Sequence, residues 1–127
     1  MNLFKDAIFW VEIPVSDFAR AKQFYSSIYA CEMPEIMNGP NQMGFLPHDR
    51  SAGGIGAAIV KGAGYIPTDR GAKVYLNGGD DLEDVLNRVE KAGGKIIMPK
   101  MQISREFGCL GTFEDSEGNH ISLHSLK

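Results

Sequence analysis

Two charged residues far apart in the sequence could act together on a small molecule. Glu12 and Lys73 each lie on a predicted strand, and the two strands could face each other across a cleft. Glu12 would then be a general base or an anchor for a cationic group, and Lys73 could stabilise an oxyanion. The alternative is an exposed ion pair that contributes at most about 1 kcal/mol.

The last predicted strand carries two histidines on one face. Side chains alternate along a strand, so His120, Ser122 and His124 share the face opposite Ile121 and Leu123. His124 is a candidate acid or base because imidazole titrates near neutral pH. Alternatively, His120 is a solvated residue at the strand start and His124 a surface residue near the C-terminus. Ser122 has no evident Ser–His–Asp partnership.

Aromatic residues could line the same cleft. Trp10 offers a large stacking surface for a flat ligand, and Tyr75 and Phe107 could lie beside it. Packing within the core is the alternative for each of them. The candidate ligand-binding residues are therefore Trp10, Glu12, Lys73, Tyr75, Phe107, Ser122 and His124.

The elements that must position these residues occur twice along the chain. Phe9–Met33 reads as a short strand, an Asp and a helix, and Lys73–Ile97 repeats that order. Aligning Asp17 with Asp81 superposes the apolar positions of the two helices. We expect one domain over residues 1–127, with module one at about 7–61, a linker at 62–71 and module two at about 72–127. Strands are expected at residues 7–15, 73–77 and 95–99. Residues 37–43 and 47–54 read as turns, and residues 37–54 could form a lid.

The face of the fifth strand depends on one residue of register. Without a gap, Val74 and Leu76 face the cleft. With a one-residue bulge at Gly78–Gly79, Lys73 and Tyr75 face it instead. The bulge is preferred, since it directs the two aliphatic side chains toward the helices.

Composition excludes several functions. The 127 residues carry a net charge of −3, which provides no electrostatic case for binding nucleic acid or an anionic membrane. No apolar run approaches the ~18 residues of a membrane span. The two cysteines form no CxxC motif, so a reduced, cytoplasmic protein is expected.

Two segments resemble a known family. The run IPVSDFARAKQFYSSIYACEM looks like the first module of the vicinal oxygen chelate superfamily, which includes glyoxalase I, bleomycin-resistance proteins and extradiol dioxygenases. The runs YLNGGDDLEDVLNRVEKAGGKIIMPK and FGCLGTFEDSEGNHISLHS look like the second, and the EDSEGN turn is the most specific match. The resemblance, strongest to small bacterial glyoxalase-like proteins, implies an α+β fold. Two βαβββ modules would form an open, incomplete barrel with a central cleft, usually in a dimer with swapped or side-by-side modules.

The resemblance also implies a divalent metal between the modules, but its ligand positions are not suited to one. They fall on Trp10, Gly56, Lys73 or Val74, and Ser122, where relatives have His, Glu or Gln. We therefore expect no metal and no other cofactor. The leading hypothesis is a homodimer that binds a small molecule in the cleft.

Two other functions remain open from the sequence. One is a glyoxalase-type lyase or isomerase, or a relative of the dioxygenases, that acts on a carbonyl compound. Glu12 would be its base and His124 its second catalytic residue, with His124 or a displaced metal stabilising the oxyanion. The other is a structural or interaction module whose cleft is collapsed around Trp10.

Overall fold

The computed structural model describes residues 2–127, in eight strands, three α-helices and one short 3-10 turn. The N-terminal half contains β1 (Trp10–Pro14), α1 (Phe18–Tyr29), β2 (Glu35–Asn38), β3 (Asn41–Phe45), the 3-10 turn (Arg50–Ala52) and β4 (Gly56–Lys61). The C-terminal half contains β5 (Tyr75–Asn77), α2 (Leu82–Leu86), α3 (Val89–Ala92), β6 (Lys95–Ser104), β7 (Gly108–Glu114) and β8 (His120–Ser125).

The strands form two four-stranded sheets with the same topology. The first has the order β1-β4-β3-β2 and the second has the order β5-β8-β7-β6. In each sheet the first strand pairs in parallel with the last, and the remaining neighbours are antiparallel. This is a βαβββ arrangement used twice without closure into a barrel, which confirms the α+β fold predicted from the sequence.

Backbone hydrogen bonds show which residues of the two modules are equivalent. The amide of Val15 donates to Val60 O in the first sheet, and the amide of Gly78 donates to His124 O in the second. In the first module the helix cap, Asp17, follows Val15 by two residues. In the second module the cap, Asp81, follows the equivalent Gly78 by three. The extra residue predicted at Gly78–Gly79 is therefore present.

A glycine recurs at the point where each helix begins to pack on its sheet. A Cβ on Gly44 would lie 3.2 Å from Phe18 Cζ, and a Cβ on Gly111 would lie 3.3 Å from Leu82 Cδ1. Gly44 pairs with Ile59 and Gly111 with Leu123, at the same place in both sheets. The first residue of each helix therefore packs above a strand that offers no side chain there.

The helices follow the predicted apolar positions, with one difference. Phe18, Ala21, Tyr25 and Ile28 of α1 are all buried, as predicted. The second predicted helix is divided into α2 and α3 at residues 87–88, although both residues keep right-handed helical angles. Gly93 ends α3 at φ 107°, a left-handed conformation that suits glycine.

Several predicted boundaries were wrong. Strand β1 begins at Trp10 rather than residue 7, and β5 begins at Tyr75 rather than Lys73, so residues 62–74 connect the sheets. The predicted turn at 37–43 is a β-hairpin whose turn is only residues 39–40. Strand β6 continues from the predicted end at residue 99 to Ser104, because three register shifts let the irregular segment keep pairing with β7.

One apolar core contains the helix-facing sides of both sheets. Leu76 belongs to this core and Val74 packs against it, so the preferred register of the fifth strand is confirmed. Tyr75 lies on the opposite face and is 54% exposed. A smaller apolar cluster, formed by Met43, Ala58 and Val60, covers the other face of the first sheet.

The turn at residues 115–119 locks the two halves together. The Tyr25 hydroxyl donates to Asp115 Oδ2 at 2.7 Å, in a site where both side chains are buried. Burial and the adjacent Asp115 carboxylate raise the pKa of Tyr25 well above 10.0. Asn119 Nδ2 donates to Pro14 O, and Asn119 Oδ1 accepts from the Thr68 amide. The EDSEGN motif therefore has a structural role between the sheets.

Glu117 of the same turn binds the start of α1. Its carboxylate accepts from the amides of Ser16 and Asp17 at 2.9 and 2.7 Å, and from Arg20 Nε at 2.7 Å. Burial alone would raise the pKa of Glu117, but these donors and the Ser116 hydroxyl hold it below its usual 4.5. The negative charge also lies at the favourable end of the helix dipole.

Candidate functional site

The site begins at the edge of the first sheet, where Trp10 pairs with Gly56. A Cβ on Gly56 would lie only 2.6 Å from Trp10 Cζ3 and 2.7 Å from His48 Cε1. Both rings therefore lie directly over the glycine backbone. Any larger residue at position 56 would displace them, so the glycine is needed for the indole and the imidazole to occupy this place.

His48 is a site residue that the sequence analysis missed. It lies in the loop between β3 and β4, which the sequence identified only as a turn region. The loop brings His48 to Gly56 because Leu46 remains hydrogen-bonded to Ala57 before the chain leaves the sheet. A histidine three residues past an apolar strand was the available signal, but nothing in the spacing places it over β4.

A cavity of about 520 Å³ opens beside these rings. Its wall combines Phe and Trp rings, one histidine, one arginine and two glycines: Phe9, Trp10, Phe45, His48, Arg50, Gly54 and Gly56. The centroids of Trp10 and Phe45 are 6.1 Å apart, and the rings are tilted by 59°. Phe9 is 91% exposed, so one side of the cavity is open to solvent.

Tyr65 and Trp10 share Glu12 as a hydrogen-bond acceptor. This linker residue packs on the small apolar cluster of the first sheet, and its hydroxyl donates to Glu12 Oε1 at 2.7 Å. The Trp10 indole N–H donates to Glu12 Oε2 at 3.4 Å. The adjacent Glu12 raises the pKa of Tyr65 above 10.0. Glu12 is thus the acceptor that orients both rings, a role that the sequence analysis did not foresee.

Glu12 and Lys73 do share a groove. A cavity of about 180 Å³ between the two sheets is lined by both residues and by His120. No ion pair joins Glu12 to Lys73, while His120 Nε2 lies 3.2 Å from Glu114 Oε1. The groove brings together the carboxylate of Glu12 and the ammonium of Lys73, as the sequence suggested, but no ion pair forms between them.

The remaining predicted residues belong to the second half of the chain, and two of them line a different cavity. Tyr75 and His124 line an open space of about 640 Å³. His124 Nε2 lies 2.6 Å from Phe107 O, and the Phe107 side chain is 61% exposed. Ser122 is buried, with its hydroxyl 2.8 Å from that of Thr112. The predicted residues therefore line three separate cavities: one beside Trp10, one shared by Glu12 and Lys73, and one shared by Tyr75 and His124. None of these three cavities is lined by both Glu12 and His124.

The positions where the resemblance implies metal ligands carry few donor side chains in this chain. The equivalence of Val15 with Gly78 makes Lys73 the counterpart of Trp10. That of Val60 with His124 makes His120 the counterpart of Gly56 and Ser122 the counterpart of Ala58. Among these six positions, His120 alone carries an imidazole, carboxylate or thiolate donor. Residues 2–127 contain no group of three or more His, Cys, Asp or Glu side chains arranged to hold an ion.

Similarity to known proteins gives the class. A glyoxalase/bleomycin resistance protein from Albidiferax ferrireducens T118 has a TM-score of 0.69, with 16% identity over 93% of this chain and 97% of that one. TnmS3, an antibiotic binding protein from Streptomyces sp. CB03234, has a TM-score of 0.65, with 18% identity over 98% of both chains. With the two βαβββ modules, these likenesses define a vicinal oxygen chelate fold.

A sequence relative gives the family. The chain is 31% identical over 111 residues to a "Glyoxylase-like domain-containing protein" from Didymella fabae, covering 86% of this chain and 85% of the relative. No family model matches the sequence. The protein belongs to the glyoxalase-like domain family of the vicinal oxygen chelate superfamily. Within residues 2–127 no helix has the length and apolar character to cross a membrane.

Proposed function

We propose that this protein binds a small molecule against Trp10 and does so without the metal of its superfamily. The observation that carries the proposal is the packing of Trp10 over Gly56, at two positions where the resemblance implies metal ligands. The glycine makes room for a ring beside an open cavity, which is what a binding surface requires.

The cavity has the properties of a ligand site. A volume of about 520 Å³ is within the range of roughly 300–1,000 Å³ that is usual for small-molecule pockets. Aromatic walls provide a large apolar contact area with little conformational freedom to lose. The Tyr65–Glu12–Trp10 hydrogen bonds hold the indole in place before a ligand arrives, so less entropy is lost on binding.

Quenching of Trp10 emission is the direct test, since the chain contains one tryptophan. A metabolite and drug library is screened against untagged, chelator-treated protein, and hits are measured by calorimetry in two variants. Phe45→Ala should weaken binding at least about tenfold, because Phe45 lines the cavity. Tyr75→Ala is the matched control, an aromatic truncation at a different cavity, and should leave binding unchanged. Hits that need added metal, or that lose affinity only in Tyr75→Ala, would contradict the proposal.

A proton-transfer activity at Glu12 is the second candidate. It is favoured by the groove that Glu12 shares with Lys73, where a carboxylate base and an ammonium could act on one carbonyl compound. His124 does not reach this groove, so Lys73 is the oxyanion partner in this version. Glu12→Gln keeps an acceptor for Tyr65 and should abolish turnover of 2-oxoaldehyde–thiol adducts. Equal turnover in wild type, Glu12→Gln and the surface control Glu106→Gln would exclude it.

We also propose a homodimer in a reducing compartment such as the cytoplasm. Large apolar side chains are exposed on the second sheet and beside it, including Tyr75, Met101 and Phe107 at 54, 51 and 61%. Their burial in a symmetric interface would follow from the hydrophobic effect. Cys31 and Cys109 are unpaired, as expected in a reducing environment. Light scattering gives the mass in solution, and a monomer at high concentration would rule out the dimer.

A further inference from the structure

The charges around the Trp10 cavity are of one sign. Arg50 and His48 are the titratable side chains of its wall, and no carboxylate lines it. This is a local departure from the rest of the chain, which carries a net charge of −3. An anion would therefore meet a positive site on a protein that otherwise repels it.

The acid closest in sequence, Asp49, lies between His48 and Arg50 in the chain but does not line the cavity. Asp49 accepts hydrogen bonds from the Ser51 hydroxyl at 2.7 Å and the Ala52 amide at 3.2 Å, inside its own turn. No ion pair within residues 2–127 includes Arg50. The guanidinium therefore keeps its five donors for water or for a ligand.

Glu12 does not line this cavity either. Its two carboxylate oxygens accept from Tyr65 and from the indole N–H of Trp10, and it lines the groove shared with Lys73 rather than the Trp10 cavity. The indole thus presents its six-membered ring to Gly56 and His48, while its polar edge is directed to Glu12. An apolar ring surface and a free cation remain on the cavity side.

From this arrangement we infer the chemical class of the ligand: a planar aromatic anion, a carboxylate or phenolate whose ring contacts Trp10 and Phe45 and whose oxygens are bound by Arg50 with His48. The inference rests on the proposed function. Arginine suits this role because its planar fork matches a carboxylate with two parallel hydrogen bonds. A cationic ligand would lack any carboxylate partner in the wall and would face Arg50.

Three probes of one shape separate ring from charge: 2-naphthoate, 2-naphthamide and 2-naphthylmethylammonium, each titrated by calorimetry and by Trp10 quenching at pH 7.5 and fixed ionic strength. The naphthoate should bind about tenfold more tightly than the amide, as expected for one charge-assisted contact near the surface, and the ammonium should bind most weakly. In Arg50→Gln the naphthoate should lose this advantage and match the amide. Arg105→Gln, a change at an exposed arginine that does not line the cavity, should keep it.

The outcomes distinguish this inference from the proposed function. If amide and naphthoate bind equally and both weaken in Phe45→Ala, the anion inference is wrong while binding at Trp10 stands. If 2-naphthylmethylammonium binds best, the cavity prefers a positive charge and the anion inference is wrong. If no naphthalene binds, the planar aromatic class is refuted, and the proposed function then depends on the library screen alone.

Discussion

Removing the charge of Glu117 should destabilise the fold. Its side chain is fully buried from solvent, and it accepts from two amides, one guanidinium and one hydroxyl. In Glu117→Gln one oxygen becomes an NH₂ group, which must face donors. Hydrogen bonds to a charged group contribute about 1.5–3 kcal/mol each, and a buried donor without a partner costs about 1–3 kcal/mol.

The expected net loss is about 3 kcal/mol. The Arg20 partner is 56% exposed, so its share is reduced by solvent screening, and the two amides at the start of α1 account for most of the loss. For a chain of this length, about 3 kcal/mol corresponds to a decrease in Tm of roughly 10 °C. Urea unfolding followed by circular dichroism measures the free energy. Glu106→Gln, an exposed control, should stay within about 0.5 kcal/mol of wild type.

The pH dependence provides a second, independent check. A carboxyl with a lower pKa in the folded than in the unfolded state stabilises the fold above the unfolded-state pKa, and that stability is lost as pH falls through the folded-state pKa. The pKa of Glu117 is lowered from 4.5, so the difference between wild type and Glu117→Gln should be full at pH 7 and decrease below about pH 4.5. A loss under 0.5 kcal/mol, or a difference that is constant from pH 7 to pH 3, would refute the reasoning.

Three further changes test separate contacts. Tyr25→Phe removes the donor to buried Asp115 and should cost about 1.5–3 kcal/mol in urea unfolding, whereas an unchanged midpoint would show that water replaces it. Gly56→Ala should cost about 1–3 kcal/mol and shift Trp10 emission, because its Cβ needs the space of two rings; unaltered emission would contradict the packing. Tyr65→Phe should cost no more than about 1 kcal/mol yet change Trp10 emission, and an identical spectrum would mean that Glu12 does not orient the indole.

The duplicated fold could be predicted because its signals are local. Asp17 and Asp81 each cap a helix whose apolar period can be read directly, and strand alternation then places Leu76 in the core. Boundaries were less certain where tertiary pairing decides them, as in β6, whose irregular strand continues because β7 lies beside it. The repeat itself supplied the topology, since two equal segments imply two equal sheets.

The arrangement of the site could not be read in this way. His48 and Tyr65 come from a loop and from the linker, where no period relates sequence position to direction in space. Their contacts with Gly56 and Glu12 depend on the path that the loop and the linker follow over the first sheet. The separation of Tyr75 and His124 from Trp10 likewise follows from sheet placement, because alternation gives the face of a strand but not its neighbour across a cleft.

The EDSEGN turn shows a related limit. Its residues could be recognised as a family feature, but their partners, Tyr25, Ser16 and Pro14, are about 90 to 105 positions away in the chain. Only the folded chain shows that Asp115, Glu117 and Asn119 join the halves rather than act on a ligand.

The most direct test of the central claim is calorimetry of a Trp10-quenching library hit on untagged, chelator-treated wild type and Phe45→Ala. Metal-independent binding at Trp10 predicts about one ligand per chain with full affinity in the absence of metal, and at least about a tenfold loss in Phe45→Ala. Binding that appears only after Zn²⁺, Mn²⁺, Ni²⁺ or Fe²⁺ is restored, with equal affinity in the variant, would contradict it.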